Sequence, residues 1–77
     1  MARRRTIDAL EAKSVMVTLL SGAGVAGVVR DADEVGLWLA PAADEPVVLV
    51  PADARDRQEV PGEVYILMAN IDFLQVT

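Results

Sequence analysis

The chain has no cysteine and no histidine among its 77 residues. Disulfide frameworks, thiolate or imidazole metal sites and imidazole-activated nucleophiles are therefore all excluded. Aromatic residues are scarce: Trp38, Tyr65 and Phe73 are the only three. Each sits inside an apolar run, where core or subunit-contact duty outweighs base stacking. Basic residues are few beyond the first thirteen positions. There Arg3, Arg4, Arg5 and Lys13 stand against Asp8 and Glu11, a balance of +2; Arg30, Arg55 and Arg57 stand against ten carboxylates in the remainder, a balance of −7. An acidic body does not grip nucleic acid by neutralising phosphates. The arm Arg3, Arg4, Arg5 is the one basic cluster and the candidate nucleic-acid contact.

What is abundant is apolar surface, 53% of the residues. A domain this small buries only about 60% of its unfolded surface and usually needs a staple. With no disulfide or metal available, oligomerisation is the expected staple. The uncharged stretch from Ser14 to Val29 is rich in glycine and shorter than the ~20 residues of a membrane span, and Asp8, Glu11 and Lys13 interrupt any signal-peptide pattern. A soluble, cytoplasmic, single-domain protein of residues 1–77 with no membrane association is expected.

"SGAGVAG", Ser21 to Gly27, contains a G-x-G-x-x-G pattern after the apolar run "VMVTLL". A dinucleotide site needs those glycines to open a helix. Here β-branched and then acidic residues follow, so a hairpin turn at Gly22 and Gly24 and a strand bend at Gly27 are predicted instead. "TIDALEAK" reads as a short helix over residues 6–13, with Thr6 as its N-cap. Residues 14–41 hold three strands, with Val15, Val17 and Leu19 on one face of the first, and Val35, Leu37 and Leu39 on one face of the third. Residues 42–62 form a variable, exposed excursion in which Val47 to Val50 extends the third strand or adds another. Residues 63–77 hold the last two strands, meeting at Asn70.

This order of elements, with Gly22, Gly27, Asp33 and Asn70 at matching spacings, resembles the Sm/LSm family of small β-barrel proteins from about Thr6 to Val76. The resemblance implies a mostly β fold: a short N-terminal helix followed by a five-stranded, strongly bent antiparallel SH3-like barrel. It also implies a homo-oligomeric ring of five to seven subunits, made by pairing the fourth strand of one with the fifth of the next. The interface would draw on Tyr65, Ile66, Leu67, Ile71, Phe73 and Leu74. Family members that bind uridine-rich RNA use a pocket that maps here onto Asp33, Gly36, Met68, Ala69 and Asn70. Only Asp33 matches; Val35 falls at the stacking position, Gly36 at an asparagine, and Met68-Ala69 replaces an Arg-Gly pair.

The groups that stack a base and neutralise a phosphate are thus missing. Asp33 is expected to accept hydrogen bonds from backbone amides of its own turn. Asp31, Asp33 and Glu34 form a solvated acidic turn rather than a cation loop, and no hydroxyl has a base placed to activate it. A non-catalytic ring without cofactor or metal is expected, acting as scaffold or binding module. RNA binding through the arginine arm is the disfavoured alternative.

Overall fold

The computed structural model of the protein describes residues 12–53 and 56–77. One antiparallel sheet contains seven strands: β1 (Ser14–Leu19), β2 (Gly24–Ala32), β3 (Gly36–Ala40), β4 (Val47–Val50), β5 (Gln58–Val60), β6 (Val64–Leu67) and β7 (Ile71–Val76). A 310 turn, Met68–Asn70, joins β6 to β7.

The seven segments lie in five rows. β3 pairs with β2 up to Val28↔Ala40, and β4 resumes on the same edge at Ala26↔Val48, so residues 41–46 loop out while the row continues. β5 and β6 repeat the arrangement one row further out, through Val47↔Val60 and Leu39↔Val64. On the other side, β1 pairs with β2 and β7 pairs with β1. The two edges of the sheet, the β5–β6 row and β7, are joined through three residues that span at most about 10 Å. The sheet must therefore curl until its edges approach at one corner, although β6 and β7 do not pair.

Gly27 sits where β2 changes partner from β3 to β4. A Cβ there would lie 3.2 Å from the Ala40 carbonyl oxygen and from the Leu39 Cβ, and 3.4 Å from a Val47 methyl. A methyl group at this crowded point would require those neighbours to shift by a few tenths of an ångström. At Arg30 a bulge in β2, between Val29↔Leu39 and Asp31↔Trp38, adds twist to the same strand.

The concave side encloses a wholly aliphatic cluster: Val15, Val17, Val25, Val29, Leu37, Leu39, Val47 and Ile66. These are β-branched or leucine side chains alternating along strands, the pattern that half-buried pleated sheets select. Fully burying one such side chain contributes about 1.5–3 kcal/mol. Leu20, Val35, Tyr65, Leu67, Phe73 and Val76 remain exposed.

Several expectations change. The predicted helix over 6–13 lies outside the described residues except for Ala12 and Lys13, which are not helical. Ala12 has φ 64° and donates its N–H to the Val29 carbonyl at 2.8 Å, and the Lys13 carbonyl accepts from the Val29 N–H at 3.0 Å. Of the two turn glycines only Gly22 has positive φ, 94°, while Gly24 is already the first residue of β2. Val35 is not in a strand: it is 63% exposed in the β2–β3 turn, because the Asp33 side chain closes the hairpin there. The 42–62 excursion contains two strands, β4 running on from the third strand and β5, so five predicted strands are seven.

Candidate functional site

The residues Asp33, Gly36, Met68, Ala69 and Asn70 are brought to one corner of the sheet by backbone pairing. Asp33 is an acceptor residue in a tight turn: its Oδ1 takes hydrogen bonds from the N–H groups of Val35 and Gly36, both at 2.8 Å. The Asp33 N–H donates to the Gly36 carbonyl at 3.0 Å. This is the side-chain-closed turn that aspartate favours, and it carries Val35 to the start of β3. From the other direction β6 delivers Leu67 opposite Gly36, and the Met68 N–H donates to the Val35 carbonyl at 2.8 Å. The far end of the 310 turn is fixed as firmly, since the Leu20 N–H donates to the Asn70 carbonyl at 2.8 Å. Three loops thus meet at one corner of the sheet.

No protein-family model and no curated protein matches the sequence. The chemistry of the corner must be read from its own residues. Around the turn stand Leu20, Val35 and Leu67, exposed by 67%, 63% and 46%. Beside them the Asp31, Asp33 and Glu34 side chains face solvent. Leu20, Val35, Leu67, Met68, Ala69 and Asn70 carry no cationic side chain, and the aromatic ring that lies against Gly36 is that of Tyr65. Among the described residues no three carboxylates converge to hold a metal ion.

The residues predicted to line a subunit contact divide. Tyr65, Leu67 and Phe73 are exposed on the two edge strands. Ile66 points into its own core, at 6% exposure, and Ile71 and Leu74 are half-buried against that core. Arg3, Arg4 and Arg5 lie outside the described residues.

One constellation was not foreseen. Trp38 of β3 faces Tyr65 of β6 directly across the pair, with ring centroids 4.7 Å apart and planes tilted by 45°. The Arg30 guanidinium lies 5.2 Å from the Trp38 ring centroid, and its Nε donates to Glu63 Oε1 at 2.6 Å. Tyr65 can lie across the sheet only because position 36 is glycine: a Cβ there would fall inside the phenol ring. The signal for this in the sequence is the alternation of Glu63 with Tyr65 and of Gly36 with Trp38, once the two strands are set in register. The Trp38 ring is already engaged by an arginine and a tyrosine, so the ladder covers the outer face rather than offering an empty stacking platform. No helix among the described residues is long and apolar enough to cross a membrane.

Proposed function

We propose that the protein is a non-catalytic, Sm-like, ring-forming scaffold or binding module, built as a bent SH3-like barrel that assembles with copies of itself. The observation that carries this reading is the pair of unpartnered edges. Among the described residues β6 pairs only with β3 and β7 only with β1, and these edge strands expose Tyr65, Leu67 and Phe73. Open apolar edges are association hazards unless covered. Because the two edges are different surfaces of one subunit, joining them is head-to-tail, and such contacts close into rings when the rotation permits. The Met68-Ala69 turn and the acidic corner favour a ligand other than RNA.

Multi-angle light scattering at micromolar concentration tests the assembly. A species of five to seven subunits is expected, and Phe73→Asp should dissociate it; a clean 8.2 kDa monomer would overturn the ring. Poly-U titrated at graded salt tests the ligand. Submicromolar binding by a protein lacking residues 2–5, lost on Asp33→Ala, would establish an RNA pocket at the corner instead.

A further inference from the structure

We infer that the corner formed by the Met68–Asn70 turn is a docking surface for a cationic, aliphatic peptide segment of another protein. This names the ligand class of the binding module proposed above, and it rests on that reading for the repetition of the surface around a ring. Two of the six exposed large hydrophobic residues, Leu20 and Val35, which the subunit contact proposed above does not use, lie in loops whose backbones meet at this one turn. Backbone pairing fixes both loops: the Val35 carbonyl accepts from the Met68 N–H, and the Leu20 N–H donates to the Asn70 carbonyl, each at 2.8 Å. A surface already ordered in this way binds without losing loop entropy.

Charge selects the partner. Asp33 and Glu34 directly precede Val35, Asp31 stands two residues before Asp33, all three are exposed, and Arg30 is held by Glu63. Asp31 and Asp33 each use Oδ1 on a main-chain amide, so their second oxygens and the Glu34 carboxylate make no hydrogen bond to another described residue. The described residues carry Lys13, Arg30 and Arg57 against ten carboxylates, a balance of −7. Such a field repels nucleic acid. It disfavours a second copy placed face to face, which would set these carboxylates against themselves. Leucine, isoleucine or valine flanked by lysine or arginine satisfies both the apolar residues and the carboxylates that precede Val35.

The test uses the full chain and a labelled, acetylated and amidated peptide in which three leucines alternate with three lysines, followed by fluorescence anisotropy. Saturable binding is expected, about tenfold weaker or more when serines replace the leucines, and absent when glutamates replace the lysines. Leu20→Ser combined with Val35→Ser should weaken binding about tenfold without changing the melting temperature, since both side chains are exposed. Glu34→Gln should weaken it severalfold at low salt, a difference that screening removes at high salt. Absence of binding overturns the proposal, as does equal binding of the serine peptide. It is also overturned if the double serine variant changes the assembly mass, which would make the corner a contact between copies. A tenfold gain in affinity on deleting residues 2–5 would assign the surface to the chain's own arginines and overturn it as well. The two readings fail separately: a monomer that binds the peptide refutes the ring alone, and an assembly that ignores the peptide refutes the docking surface alone.

Discussion

Replacing Asp33 with alanine should lower the melting temperature by about 5–10 °C. The carboxylate accepts two hydrogen bonds of 2.8 Å, and they are unequal in worth. The Val35 amide lies in an exposed turn and regains a water molecule when its partner is removed, so its loss costs a few tenths of a kcal/mol. Gly36 is a buried residue at the start of β3, and leaving its amide without an acceptor costs about 1 kcal/mol or slightly more. A total of about 1–1.5 kcal/mol corresponds to the stated shift, at roughly 4–8 °C per kcal/mol for a domain of this size. Far-UV circular dichroism at one fixed protein concentration reads it, so that any self-association enters both variants alike. Asp33→Asn retains the acceptor oxygen and should recover more than half of the loss. The reasoning fails if Asp33→Ala melts with the wild type, or if the asparagine variant is as unstable as the alanine one, which would place the effect in charge rather than in acceptance.

Gly36→Ala should push the Tyr65 ring off β3 and uncover Trp38, seen as a red shift of tryptophan emission; unchanged emission would mean that the ring does not rest on the glycine. Gly22→Ala forces an alanine to φ 94° and should cost about 1 kcal/mol or more in chemical denaturation. Glu63→Gln breaks an ion pair whose side chains are 48% and 40% exposed, so stability should change by no more than about 0.5 kcal/mol; a larger loss would show Arg30 to be anchored through Glu63 against Trp38.

The strands that form the core were legible because their chemistry repeats. Val15, Val17, Leu37 and Leu39 alternate with non-core positions, and a period of two has one strong interpretation. The Asp33 turn was legible for a similarly local reason, since an aspartate two or three residues before the amides it caps needs no tertiary partner. Val35 misled because it continues the alternation of Leu37 and Leu39. The alternation stops being a strand where the aspartate turns the chain, and a periodic count does not register that competition. β5 was hidden because "QEV" has no apolar pattern and is a strand only through its pairing with β4. The Arg30, Trp38, Tyr65 and Glu63 ladder was hidden for a different reason: its members come from three strands and the residue just before β6, and only the register brings them together.

The looped-out residues 41–46 also bear on how such a chain can change over evolutionary time. Ala40 faces Val28 and Val48 faces Ala26, so Gly27 lies opposite the point at which the segment leaves and rejoins its row. Joining Ala40 directly to Val47 would place Val47 two positions after Leu39, on the inward face that it already occupies. The six residues can therefore be removed whole, or exchanged for a different insert, without rewriting any side chain of the interior. Diversity can accumulate at this seam while the sheet on either side stays constant.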